Sequence, residues 1–364
     1  VLQRLKNLQF DVATRKHLVN IRDMVEKDCQ ELDTWQPKGK DLDILTFEAY
    51  LLVRGADENA LATATVWTRA MLGVNPADLS ALFFLNYCKS GGGLLAMRSD
   101  RKGGGQHLRI RQGTQLFAKC LAETLPQDTI HLESPVQAVV QHGRQAVQVH
   151  AGDTVYSARK VITTVPGPVL RELSFTPSLP PAKRLWVEST GYGYYSKAMM
   201  EFRSAFWVRK GFCGLVQSFV GPASVVRDTS SPADAKFVLT CFMAGDPGRA
   251  WFQLSASQRQ ESLLRQLEKL YDIKNLETEF LEMHSYEWVE DQYSGWGCPC
   301  ASLTPGVIDT VGADALREPW YDLHFAGTET AGEWKGYMEG AVRSGERAAA
   351  EVVEHLGSGH AARL

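Results

Sequence analysis

No long uninterrupted apolar run occurs in this sequence. The longest are broken by polar residues well short of the roughly 20 that a bilayer-crossing helix needs, at the C-terminus as elsewhere. That argues against a membrane span and for a soluble protein. No Asn-x-Ser/Thr sequon is found, and the opening stretch from Val1 to Phe10 alternates charged with apolar residues instead of forming a signal-peptide core. Secretion is therefore disfavoured. Cysteine is sparse: Cys29, Cys88, Cys120, Cys213, Cys241, Cys298 and Cys300 make an odd, scattered set of seven without the density of a disulfide scaffold. A reducing compartment fits it best. An excess of either charge is missing too, with 39 basic against 42 acidic residues and a net charge of −3. Binding to a nucleic-acid backbone, which needs a basic surface, is thus not its main business. Internal repeats, low-complexity tracts and an initiator Met are also lacking. Val1 already stands in helix-like periodicity, which reads as a fragment of a longer chain.

What is present suits a folded enzyme-sized chain. At about 150 residues per domain, 364 residues allow two domains or one large domain of interleaved segments. With 44% hydrophobic, 10% aromatic and 22% charged residues, disorder is excluded. Leu5, Leu8, Phe10, Val12, Leu18, Ile21, Met24 and Val25 recur at helical spacing, and Asn59 to Leu72, with Trp67 and Met71, forms a second such run. Two glycine triplets, Gly91 to Gly93 and Gly103 to Gly105, bracket the basic stretch Arg98 to Lys102. They mark loops or a domain crossing, and neither has the GxGxxG spacing of a phosphate-binding turn.

Gln115 to Leu125 reads as an amphipathic helix. The alternating runs His131 to Val140, Gln145 to His150 and Thr154 to Val165, separated by His142-Gly143 and Gly152-Asp153, predict a β-meander stopped by Pro166. Tyr194 to Phe206 and Lys236 to Ala244 predict further strands. Ser255 to Leu270 predicts a helix with Ser257 as its cap, and Ala341 to Leu356 a C-terminal helix. Leu323 to Thr330, followed by Gly336 to Ala341, has the form strand, glycine-rich turn, helix. A helix N-terminus there suits a phosphate or the carbonyl edge of a heterocycle, though an ordinary connection has the same form.

These last residues carry a resemblance. Trp288-Val289-Glu290-Asp291-Gln292-Tyr293-Ser294-Gly295, Phe325-Ala326-Gly327-Thr328-Glu329-Thr330 and the run Gly336 to Arg347 together resemble the C-terminal flavin-binding region of the flavin-dependent amine oxidases, most closely the monoamine oxidases. Ser134-Pro135-Val136, Val161 to Pro166, and Lys197 followed by Phe206-Trp207 extend the match, with weaker similarity back to Phe83-Phe84-Leu85. The implied fold is α/β (mixed α+β): an FAD-linked amine oxidase fold lacking its N-terminal dinucleotide-binding βαβ unit, with an interleaved helical and sheet substrate domain. Residues 1–105 would be the helical part of the substrate domain and 106–186 a cofactor-domain segment. Residues 187–285 would complete the substrate domain, and 286–364 would form the C-terminal cofactor segment. Without the GxGxxG unit the isolated chain is expected to hold its cofactor badly.

The resemblance implies FAD as cofactor and oxidative deamination of a primary amine by O2 to aldehyde, ammonia and H2O2. Val136 would hold the adenine through its backbone. Gly327, Thr328 and Glu329 would lie along the pyrophosphate and ribityl chain, the Met338 N–H would meet the isoalloxazine, and Trp288 would pack near the ring. Lys197 would hold a water against flavin N5, and Tyr337 would form one wall of an aromatic cage. The second wall is open: Trp296 is the nearest candidate, because Pro299 follows Cys298 where the membrane-bound enzymes carry a Tyr. Cys298 matches their flavin-attachment cysteine in type, but its shifted spacing favours non-covalent flavin. A metal at Cys298-x-Cys300 lacks a second ligand pair. Phe242 and Met97 would line an apolar substrate cavity or else be ordinary core residues, and the absence of Arg or Asp beside Phe242 points to a neutral-tailed amine.

A polyamine or L-amino-acid oxidase, or a catalytically silent chain, are the alternatives. Ala362-Arg363-Leu364, after the spacer Gly357-Ser358-Gly359, resembles the address read by the peroxisomal import receptor, with the cytoplasm as the alternative location. Oligomeric state is left open, homo-oligomers included.

Overall fold

A computed structural model describes residues 10–143 and 146–361. Leu5, Leu8, Gln145 and the Ala362-Arg363-Leu364 tripeptide lie outside the described residues. Two compact units partition the chain. One comprises Val1–Asp33, Pro37–Asn86 and Gly191–Asp309, and the other Thr34–Gln36, Tyr87–Thr190 and Thr310–Leu364.

In the first unit the helices Val12–Gln30, Phe47–Val53 and Glu58–Leu72 accompany a five-stranded antiparallel sheet. Its strand order is Phe280–Glu287, Tyr195–Phe202, Phe237–Ala244, Ala223–Asp228, Val216–Gln217. Strand period two divides the Tyr195–Phe202 segment. Ser196, Ala198, Met200 and Phe202 are buried, while Lys197 and Met199 stand exposed on the other face. The buried side joins Leu239, Cys241, Met243, Trp207 and Trp251 with helix Ala256–Tyr271 in one apolar core. The Trp207 indole N–H donates to Asp228 at 2.9 Å, satisfying the one polar atom that such a ring carries inward. The entry to the lysine's strand is set by backbone contact: a Cβ on Gly193 would lie 2.3 Å from the carbonyl carbon of Gly73, which caps helix Glu58–Leu72 in the left-handed region.

In the second unit, Thr154–Ala158, Val147–Ala151 and Val136–Val140 form an antiparallel meander, with Ser174–Thr176 added parallel to the last of them. The run Thr154 to Val165, read as one element, is two. Val161–Thr163 leaves the meander and pairs in parallel with Leu323–Phe325. The run His131 to Val140 becomes strand only from Val136, because Pro135 has no N–H for the ladder and Glu133 is left-handed at φ 54°. Tyr194 to Phe206 stops being strand at Phe202, and Phe206–Arg209 is a short helix that buries Phe206 and Trp207. The terminal helix runs Met338–Ala361, so Gly357-Ser358-Gly359 is helical and not a spacer; a helix already nucleated propagates through weak formers at little cost. Helix Gln115–Glu123 forms as expected but buries none of its residues, leaving Phe117 and Leu121 exposed.

The cap of helix Ala256–Tyr271 is Ser255, not Ser257. The Ser255 hydroxyl accepts from the Gln258 N–H while the Gln258 side chain accepts from the Ser255 N–H, a reciprocal capping box. Ser255→Ala should therefore lower unfolding free energy by about 1 kcal/mol, and Ser257→Ala by less than about 0.5 kcal/mol. Denaturant melts of the two variants check the assignment, and equal losses would reject it.

Candidate active site

The exposed face of the five-stranded sheet presents a row of side chains fixed by register. Lys197 stands opposite Phe242 on one side and Tyr286 on the other. Tyr195, two residues before the lysine, shares its face, and its ring centroid lies 5.8 Å from that of Phe242. Its hydroxyl donates to the Ala70 carbonyl at 3.2 Å. Tyr286 packs edge-on against Trp288 at 4.8 Å and donates its hydroxyl to Asp291 at 3.1 Å. An amine side chain thus stands in an aromatic row, with Phe242 half-buried and Trp288 exposed at the end of the strand.

Behind this face lies a charged cluster. The Ser196 hydroxyl donates to the Glu287 carboxylate at 2.9 Å, the Tyr194 hydroxyl at 3.4 Å, and Arg259 stands 3.8 Å away. The Glu287 side chain is only 8% exposed, so these partners are what make the buried carboxylate tolerable. Cys298 lies on the lysine's side of the unit, its Sγ 3.6 Å from the Tyr195 carbonyl. Burial pushes its thiol up to about 12; the Lys197 charge pulls it down and Glu287 pushes it up. The thiol is therefore protonated at neutral pH and a poor nucleophile.

Trp296 is exposed and left-handed at φ 57°, its N–H donating to the Asp291 carbonyl at 3.0 Å. It stacks on none of the rings flanking Lys197. Cys300 is fully buried. Among the described residues the cluster with metal-ligand spacing is elsewhere, at Glu201, Glu282 and His284. Its carboxylates already have partners, Lys236 at 3.2 Å and His284 at 3.0 Å.

In the second unit the strand Leu323–Phe325 is buried throughout and delivers the glycine turn. Gly327 has φ 104°, a region that side-chain-bearing residues rarely adopt. Its N–H donates to the Ser344 hydroxyl at 2.9 Å, and its carbonyl accepts from the Thr330 N–H and hydroxyl at 3.0 and 2.8 Å. The Thr328 hydroxyl donates to the Tyr337 carbonyl at 2.9 Å, tying the turn to the start of the terminal helix. Close approach there depends on Gly340, where a Cβ would fall 2.3 Å from the Trp334 carbonyl oxygen and 2.9 Å from the Thr328 hydroxyl. Tyr337 packs edge-on to Trp334 at 5.3 Å, and Met338 opens the helix with its side chain about half exposed, at 51%. Glu329 is buried. Val136 opens its strand half-buried, and Met97 is buried against Gly91 inside the same unit.

The structure therefore gathers Lys197, Phe242 and Trp288 through Tyr286 in the first unit, and Gly327, Thr328, Tyr337 and Met338 in the second. Tyr286, Tyr195, Glu287 and Ser344 were missed by the sequence reading. Alternation of Tyr286 with Trp288 and of Tyr195 with Lys197 was the signal available for the first two. The pairing of Glu287 with Ser196 and of Gly327 with Ser344 crosses long sequence separations that no local pattern encodes.

These residues fit a flavin dinucleotide. The first N–H groups of a 24-residue helix have no intrahelical acceptors and lie at its positive dipole end, which suits the electron-rich pyrimidine edge of the ring. At Gly327 the nearest atom to an added Cβ is 3.5 Å away, so backbone is open to close approach by a ligand. A carboxylate such as Glu329 is an acceptor only, matching the hydroxyls of a ribityl chain.

The sequence profile of the flavin containing amine oxidoreductase family matches residues 9–353, and the chain belongs to that family. It is 32% identical over 299 residues to a flavin-containing amine oxidase of Oncorhynchus mykiss, covering 81% of this chain and 56% of that protein. With the flavin-containing amine oxidase B of Mus musculus it shares 30% identity over 326 residues, covering 88% and 61%. The chain thus spans little more than half the length of these relatives. Among solved structures, cyclohexylamine oxidase from Brevibacterium oxydans IH-35A superposes with a TM-score of 0.85 at 26% identity, covering 96% of this chain and 76% of that one. Putrescine oxidase bound to putrescine shares the fold with a TM-score of 0.85 at 24% identity, over 95% and 77%.

Thiol labelling tests the electrostatics around Lys197. At pH 7, Cys120 and Cys213, both exposed, should react first. Cys298 should react at least about tenfold more slowly and speed up as the pH is raised, since the thiolate is the reactive form. Labelling of Cys298 as fast as Cys120 would show that its thiol is not suppressed.

Proposed function

We propose that this chain carries the amine-oxidising part of a flavin-dependent amine oxidase that converts a primary amine to an aldehyde and ammonia. The observation that carries this is the placement of Lys197, exposed in a row of aromatic side chains by the register of three strands. Gly327, Thr328, Glu329 and the Met338 helix terminus would hold FAD, with Val136 at the adenine. The bound flavin supplies the two-electron acceptance, and O2 regenerates it with release of H2O2.

The remaining chemistry belongs to this chain's residues. The Lys197 amine holds a water by hydrogen bonding and can take up or return its proton during hydrolysis of the imine product. Phe242, Tyr195 and Tyr286 flank the amine with ring surface that offers the water few competing partners. Tyr337 offers an aromatic face that attracts an incoming amine through the ring quadrupole. Phe242 supplies apolar surface and no counter-charge for a substrate carboxylate, which favours a neutral-tailed amine over an amino acid. The protonated Cys298 thiol, poor as a nucleophile, supports a flavin held without a covalent bond.

Supplied with FAD and a benzylic or short alkyl amine, the chain should release H2O2. Lys197→Met should slow this about tenfold or more while leaving bound flavin unchanged. An unaltered rate removes Lys197 from the mechanism, and no peroxide from the parent chain at saturating FAD favours the silent alternative. Acid denaturation of the loaded protein should free all of the flavin, and flavin left on a peptide containing Cys298 or Cys300 would overturn the non-covalent reading.

A further inference from the structure

Lys183 lies in helix Pro181–Ser189, is only 3% exposed, and takes no part in the site described above. Its Nζ donates to three backbone carbonyls, those of Ala315 and Leu316 at 2.8 Å and Glu318 at 2.7 Å. An ammonium has three donors, and all three are used here. The same nitrogen stands 3.9 Å from the centroid of the Phe325 ring, a cation–π contact in a desolvated setting. Phe325 is the last residue of the strand that delivers Gly327, and its carbonyl accepts from Arg347 at 2.6 Å. The Arg347 guanidinium reaches on to the Thr330 hydroxyl at 3.1 Å, at the far end of the turn. One residue is thus gripped on its ring by Lys183 and on its backbone by Arg347, immediately before the turn begins.

We propose that Lys183 is a positioning residue for the glycine turn, fastening the backbone of residues 315–318 over the ring of Phe325 and so fixing where Gly327, Thr328 and Glu329 stand. The importance of this for cofactor binding rests on the flavin reading given above. Removing the amine takes the donor from the buried carbonyls of Ala315 and Leu316 and from the part-buried carbonyl of Glu318, and the 315–318 segment must move to rehydrate them. Its neighbours transmit that movement. Arg317 pairs with Asp314 and covers the Trp35 ring at 4.7 Å, and Trp35 also lies against Gly332, just beyond the turn.

Burial brings the Lys183 amine down to about 7; the Glu318 charge raises it and the Arg347 charge lowers it. Arg317, Asp314, Glu351 and His324 complete the charged surroundings, with the last two paired at 3.0 Å. When the clamp opens, the amine returns to water and to its ordinary value near 10.5. Between these two values the open form binds more protons than the closed one, so closure gains as pH rises from about 7 towards 10 and is independent of pH below that window.

Hydrogen exchange on the whole chain tests this, with Lys183→Met and Lys183→Arg beside the parent. Lys183→Met should speed exchange of the 323–330 amides about tenfold or more, leaving the meander at 147–158 unchanged. Lys183→Arg, which keeps a buried cation with several donors, should restore most of the protection. After correction for intrinsic exchange, protection of 323–330 in the parent should rise with pH above 7, and neither variant should show that rise. Unchanged or uniformly faster exchange in Lys183→Met overturns the proposal. So does FAD affinity, measured by flavin fluorescence, that is equal in the parent and Lys183→Met. Where the parent chain binds no FAD, the exchange pattern decides the role of Lys183 by itself.

Discussion

Strand parity in the Tyr195–Phe202 segment is the constraint on which the lysine site depends. Ala198, Met200 and Phe202 must face the apolar core, with Ser196 buried on the same side of the strand, and each is fully or almost fully buried. Because successive side chains in a strand point to opposite faces, Lys197 is then forced outward, and no register compatible with that core can bury it. The same rule on the neighbouring strands puts Phe242 and Tyr286 beside it. The aromatic setting of the lysine is therefore a by-product of core packing and needs no separate stabilising contact. A one-residue slip would exchange the two faces and place an ammonium among Trp207, Leu239 and Met243.

The second unit solves a different problem. Its turn must present backbone to a ligand, so it cannot be filled with side chains. Gly327 leaves the turn open, Gly340 lets the start of the helix close onto Thr328 and the Trp334 carbonyl, and that long helix supplies donors at Met338. An open turn has little packing of its own, and its position is held from outside by the Thr328 and Ser344 hydroxyls and by the cations on either side of Phe325. Rigid scaffolding behind an exposed, ligand-facing backbone is how binding sites reconcile access with order.

Much of this was legible in the sequence. Local periodicity located the helices at Glu58–Leu72 and Ala256–Tyr271 and the strands at Tyr195–Phe202 and Phe237–Ala244. Motifs in the last eighty residues named the family. What was missed depends on long-range pairing. Val161–Thr163 looks locally like the end of a meander, and only its parallel partner Leu323–Phe325 assigns it elsewhere. Ser257 and Ser255 are equivalent as cap candidates until the reciprocal bond with Gln258 chooses between them. Lys183 is an unremarkable lysine in sequence, and its role comes wholly from carbonyls more than 130 positions away.

The central claim is that an amine delivers its electrons to a flavin held by this chain. Anaerobic mixing of the FAD-loaded chain with a primary amine measures that step without any coupled assay. The account predicts that the oxidised flavin colour bleaches with a rate that saturates in amine and returns on admission of air. Flavin that is bound but keeps its oxidised spectrum at saturating amine would contradict it.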